Sequence, residues 1–119
     1  MAVFIVHNDN TKNFEALSKY GVVRSITTKA IFPDNANIRI GEFISRIHKF
    51  IRKYDPRKDY LVMAGHPVYI AMIAAYLAAR GHKEIRVLQY DRDEKTYYPL
   101  ILPITIRKET KYEVSRQNT

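Results

Sequence analysis

Residues 59–81 read DYLVMAGHPVYIAMIAAYLAARG, a strand, a turn and a helix that follow one another directly. Asp59–Ala64 is a short apolar run of β-forming residues, and Gly65-His66-Pro67 breaks it. Proline suits the first helical position, because the N–H it lacks would be unpaired there anyway. The helix then covers Val68–Arg80 and closes at Gly81, a residue free to take the left-handed conformation of a helix end. A buried strand running straight into a helix is half of a parallel βαβ unit.

The rest of the chain supplies the matching halves. Upstream, Ile40–Tyr54 predicts a helix, since Ile40, Ile44, Ile47, Ile51 and Tyr54 follow a 4-3-4-3 spacing that Phe43 and Phe50 widen. Asp55-Pro56 ends it, as the residue before proline is pushed out of the α region. Val22–Phe32, rich in β-branched residues, predicts a strand that breaks at Pro33-Asp34-Asn35. Ala2–Val6 predicts a buried first strand ending in His7-Asn8-Asp9-Asn10. Thr11 or Asn13 would then cap a short helix through Phe14, Leu17 and Tyr20, stopped by Gly21.

Downstream, Ile85–Tyr90 is a fourth strand and Asp91–Lys95 a charged turn. Tyr97–Ile106 is a fifth strand that belongs at a sheet edge, because Pro99 and Pro103 cannot donate to a ladder. The order β-α-β-α-β-α-β-β predicts an α/β fold, a small three-layer Rossmann-like or flavodoxin-like sandwich. Its sheet is mainly parallel, with an antiparallel edge strand. Residues 1–108 are expected to form one domain and 109–119 a frayed basic tail.

Composition narrows the function classes. The 119 residues carry 20 Lys and Arg against 12 Asp and Glu, a net charge of +8, with no cysteine. Disulfide scaffolds, cysteine-based zinc sites and thiol catalysis are thereby excluded. The longest apolar run, Val68–Ala79, falls short of the roughly 20 residues of a membrane span, and MAVFIVHND lacks the basic start of an export signal. A cytoplasmic location without membrane contact is the expectation.

The positive charge points to polyanionic partners, DNA or RNA among them. Six basic residues, Arg46, Lys49, Arg52, Lys53, Arg57 and Lys58, lie within thirteen positions that hold one acid, Asp55. They form a candidate nucleic-acid surface that would contact phosphates without reading bases. The plainer alternative is that they keep a small domain soluble.

In an open parallel sheet ligands bind beyond the carboxyl ends of the strands. Those ends carry His7 and Asn8, Gly65 and His66, and Asp91 and Arg92, a candidate ligand site. The free N–H groups of the helix start at Gly65-His66-Pro67 would favour an anion there. Ordinary strand-to-helix turns account for the same residues. The phosphate-loop and dinucleotide glycine motifs are absent, and no cofactor is expected.

His7 and His66 could act as acid and base if the sheet joins them, with Asp9 and Asp91 the nearby carboxylates. His7, His48, His66 and His82 form no metal-binding pair, and Ser18, Ser25, Ser45 and Ser115 lack a nucleophile context. No catalytic residue is assigned.

The helix Val68–Arg80 is apolar all round. Ala71, Ala74, Ala75, Ala78 and Ala79 occupy one arc, and the bulkier residues the other. With the alanines against the sheet, Tyr69, Ile73, Tyr76 and Leu77 would face outward and form a homodimer interface. Alternatively, the first helix and the C-terminal segment fold across them.

The strings VFIVHN, NFEALSKYG, the 59–81 segment and EIRVLQYDRDEKTYYPL together resemble small uncharacterised proteins encoded by viruses, phages and plasmids, including those of archaea. Asn8, Phe14, Tyr20, Gly21, Asp59, Tyr60, Ala74, Ala75 and Gly81 carry the likeness, over roughly residues 3–98. The resemblance implies a viral or plasmid origin and supplies no activity or catalytic residue. Three functions stay open at this point. The first is non-enzymatic nucleic-acid binding as a homodimer. The second is a nucleotide- or phosphoester-handling domain, and the third a module docking on a host or viral protein.

Overall fold

The computed structural model describes residues 1–104. Its elements are β1 (Ala2–His7), a 3-10 helix (Glu15–Tyr20), β2 (Val22–Thr27), α1 (Ala36–Lys53), β3 (Tyr60–Val62), α2 (Pro67–Ala79), β4 (Glu84–Asp91) and β5 (Thr96–Pro103). They form one five-stranded sheet in the order β2-β1-β3-β4-β5. The first four strands run parallel, and β5 returns antiparallel to β4. This is the flavodoxin-like strand order, with a switch point between β1 and β3 where the chain reverses its direction across the sheet.

Strand alternation divides the core into two. On one face Phe4, Val6, Leu61, Ile85 and Val87 meet Phe43, Ile47 and Phe50 of α1 and Tyr69, Ile73 and Leu77 of α2. On the other, Val3, Ile5, Val62, Leu88 and Tyr97 meet Leu17, with Phe14 and Tyr20 partly buried beside them. Val3–Val6 of β1, an interior strand, are therefore buried on both sides, as an unbroken apolar run requires. The second face carries only the short 3-10 helix, so the third layer is thin.

Local chemistry accounts for the element ends. Asn13 Oδ1 accepts from the Glu15 N–H at 2.9 Å, which turns the chain into the 3-10 helix in place of the α-helix expected there. Gly81, at φ 91°, closes α2 while the His82 N–H donates to the Leu77 carbonyl at 3.1 Å. Asp59 is buried and holds two segments at once: its carboxylate accepts from the Ala2 and Asp55 N–H groups, each at 2.8 Å. Pro99 and Pro103 do lie on an edge strand.

Several expectations need correction. The second strand ends at Thr27, not Phe32, and α1 begins at Ala36, ahead of Ile40. The buried stripe of α1 is centred on Phe43, Ile47 and Phe50, leaving Ile44 exposed. The largest correction concerns α2. Tyr69, Ile73 and Leu77 are 1%, 0% and 0% exposed within the single chain, whereas Ala71, Ala75 and Ala79 face outward.

The helix has turned its large side chains inward because they remove far more apolar area from water than alanines would. The Tyr69 hydroxyl is satisfied there by the Lys29 carbonyl at 2.8 Å. Tyr76 is half-buried, and its hydroxyl pairs with Nδ1 of His48 on α1 at 3.1 Å. The surface expected to join two copies is thus occupied by this chain's own sheet and first helix. The expected tail, 109–119, and the end of the expected fifth strand lie outside the described residues.

Candidate functional site

The sheet does bring His7 and His66 together at the switch point, through the backbone. The His66 N–H donates to Nδ1 of His7 at 2.9 Å, and the Val68 N–H donates to Nδ1 of His66 at 3.1 Å. Tyr69 and Ile70 both donate their N–H groups to the His66 carbonyl. With Pro67 lacking an N–H, every donor of the first turn from His66 to Ile70 is occupied. The anion cradle expected at this helix start is closed by the protein's own imidazoles.

Gly65 serves the same arrangement. At φ 99° its position leaves room for His7 alone: a Cβ there would stand 2.2 Å from the His7 Cβ. His7 is 5% exposed, and its Nε2 is buried with no partner. Burial lowers the His7 pKa, against the upward pull of Asp9, and the neighbouring His66 lowers it further. With Nδ1 of His7 engaged by the His66 N–H, the buried His7 ring latches β1 to the start of α2.

Asn8 and Asp91, at the ends of β1 and β4, build turns. Asn8 Oδ1 accepts from the Asn10 N–H at 3.0 Å, and Asp91 Oδ1 from the Asp93 N–H at 3.0 Å. Asp9 accepts from the hydroxyl and the N–H of Thr11, and these bonds hold its carboxyl below the usual range. Arg92, of the expected ligand residues, lines a cavity on the second face of the sheet.

The basic residues divide more clearly. A groove of about 190 Å³ runs between β2, an edge of the sheet, and α1. Arg46, Lys49 and Lys53 line it from one side of α1, and Arg24 from β2, with Phe4, Ser25, Ile26 and Phe50 completing the lining. Arg46 Nη1 donates to the Ile26 carbonyl at 3.3 Å, which holds its guanidinium at the strand. No carboxylate lines this groove. Among the described residues the ion pairs found are Arg39–Glu42 and Arg57–Asp55, so the groove's four cations have no acidic partner there.

Arg52, Arg57 and Lys58 lie outside the groove. Arg57 leans on Asp55 at 3.9 Å. Arg24 was missed from sequence because it stands alone in its strand; the period-2 alternation of Val22–Thr27 was the one signal available.

Among the described residues no helix is long and apolar enough to cross a membrane. No curated protein and no solved structure shows significant similarity to the chain. The model of one family, described as Phage Pam3 gp32-like protein, does match, over residues 1–104. The viral character implied by the sequence resemblance thus holds in the form of a phage family, and the chain belongs to the Phage Pam3 gp32-like proteins.

Proposed function

We propose that this phage-family protein binds nucleic acid through its phosphates, along the groove between β2 and α1. The observation that carries the reading is the convergence of Arg24, Arg46, Lys49 and Lys53 on one groove with no carboxylate among its lining residues. Cations from two elements track a charged backbone, and unpaired ones release counterions when phosphates replace solvent. The lining offers no set of amide side chains for base edges, so binding is indifferent to sequence. The groove is complete within one chain and needs no second copy.

The experiment is fluorescence anisotropy of labelled duplex and single-stranded DNA over a salt series. Four phosphate contacts predict a slope of log affinity against log salt of about −3.6 on duplex. The double substitution Lys49→Glu, Lys53→Glu should weaken binding at least about tenfold and flatten that slope by about two contacts. Charge reversal at Arg52 and Arg57, outside the groove, should cost much less. No binding at about 50 mM salt, or equal losses from both pairs of reversals, would overturn the assignment.

A further inference from the structure

A cavity lies on the opposite face of the sheet from the basic groove and owes its existence to a mismatch of strand lengths. β3 ends at Val62, while β4 continues to Asp91. The β3–β4 register pairs Leu61 with Val87 and brings Val62 level with Leu88, so Gln89–Asp91 have β5 on one side and no strand on the other. The 3-10 helix that covers this face lies against β1, β2 and β5, and its backbone does not approach β3 or β4. What remains is a cavity of about 480 Å³, within the range of small-ligand sites.

Its lining has a definite chemical character. Lys12 and Arg92 are its only ionised side chains, and no carboxylate lines it. Phe14, Tyr90 and Tyr97 bring aromatic rings, with Tyr90 and Tyr97 set edge to face at 5.2 Å. Asn13 and Gln89 add two amides. The Asn13 carbonyl oxygen is already engaged by the Glu15 N–H, which leaves its NH₂ to donate; the Gln89 NH₂ turns to the Tyr90 carbonyl, which leaves its oxygen to accept. Two cations call for an anion, aromatic walls for a flat ring, and a donor with an acceptor for the edge of that ring.

We propose that this cavity binds a nucleoside monophosphate, its phosphate drawn by Lys12 and Arg92 and its base held by Phe14, Tyr90 and Tyr97. The site is independent of the nucleic-acid groove. It lies on the other face of the sheet and shares no lining residue with it. The same chemical group occurs free and at the phosphorylated end of a strand, and the two are separable by experiment.

Calorimetric titration of the full chain with AMP, GMP, CMP and UMP tests the proposal, with adenosine and inorganic phosphate as partial ligands. At least one monophosphate should saturate the protein below about 1 mM, an ordinary upper limit for metabolite affinity. Adenosine and phosphate should each bind at least about tenfold more weakly. Lys12→Glu, Arg92→Glu and Tyr90→Ala, all at exposed positions that leave the fold intact, should each weaken binding severalfold. The groove variant Lys49→Glu, Lys53→Glu should leave it unchanged.

Competition by a 5′-phosphorylated dinucleotide as strong as that of AMP would place the ligand at a strand end; competition by AMP alone would make it a free nucleotide. Either supports the cavity. The proposal is overturned if no monophosphate saturates, if phosphate alone binds as well, or if the groove variant abolishes binding while Arg92→Glu does not.

Discussion

The backbone nitrogen of His66 stands 2.9 Å from Nδ1 of His7, a bond between the end of the first strand and the start of the second α-helix. As Nδ1 accepts, the neutral ring carries its proton on Nε2, which is buried without a partner. The ring also meets the edge of Tyr69 at 5.1 Å. The latch therefore combines one satisfied acceptor, one aromatic contact and one unsatisfied donor.

That combination makes stability depend on pH. The His7 pKa is held below its ordinary 6.5, chiefly by burial, so the unfolded chain takes up the proton first as pH falls. Its contribution is complete above about pH 6.5 and is lost as pH falls from there through the folded-state value. Urea denaturation between pH 5 and 8 should show this loss. His7→Asn, which keeps an acceptor for the His66 N–H, should flatten it, while His7→Ala should cost about 1–3 kcal/mol at pH 8 by leaving that N–H unpaired.

Gly65 and Gly81 form a matched pair, both at positive φ, 99° and 91°. A Cβ at Gly81 meets nothing within 4 Å, whereas one at Gly65 would fall 2.2 Å from the His7 Cβ and 2.5 Å from its carbonyl oxygen. Gly81→Ala should cost about 1 kcal/mol, the conformational penalty alone. Gly65→Ala should cost clearly more, since backbone as well as side chain must move. Equal costs in thermal or urea unfolding would deny the close approach.

The orientation of the second α-helix is open to a direct test. Ile73 is fully buried and Ala75 exposed. Ile73→Ala should destabilise by about 2–5 kcal/mol, and Ile73→Glu should prevent folding. Ala75→Glu should change stability by no more than about 0.5 kcal/mol. A folded, monomeric Ile73→Glu protein would restore the outward orientation that the sequence suggested.

Tyr54 is buried between Phe50 and His82, with its hydroxyl unpaired. Burial, aided by the charge of Asp59, pushes its pKa up to about 12. Tyr54→Phe should therefore be neutral or stabilising by up to about 1 kcal/mol, because it removes a buried donor that has no partner. In spectrophotometric titration the slowest phenol to ionise should vanish with it. Its raised pKa also means that its contribution to stability is lost as pH climbs from 10 through that value.

How much of this was legible beforehand varied with the physics involved. The strand–turn–helix at 59–81 could be read from its breakers, Gly65-His66-Pro67 and Gly81, and the first α-helix from its 4-3-4-3 spacing and the stop at Asp55-Pro56. The face of the second α-helix could not, since a helix apolar on every side contains no phase; volume decided it, Tyr69 and Leu77 going in and Ala71 and Ala75 out. The juxtaposition of His7 and His66 was visible as a possibility of topology, but its chemistry was not. Which nitrogen accepts from which N–H depends on atoms placed by tertiary packing. The cavity beside Arg92 arises from β3 stopping three residues after it starts, and nothing in DYLVMA marks that early end.

Strand order also has a consequence in time. β1 is synthesised before both strands that flank it, and one of those neighbours arrives late: Val3 pairs with Tyr60. At about 5–20 residues per second, a ribosome leaves that edge of the nascent strand uncovered for roughly 3–11 seconds. The β4–β5 hairpin, by contrast, can zip within about 1–10 μs of leaving the ribosome, its partners being neighbours in sequence. β1 therefore waits far longer for β3 than β4 does for β5, and the speed of translation sets how long its open edge is at risk of pairing with another molecule.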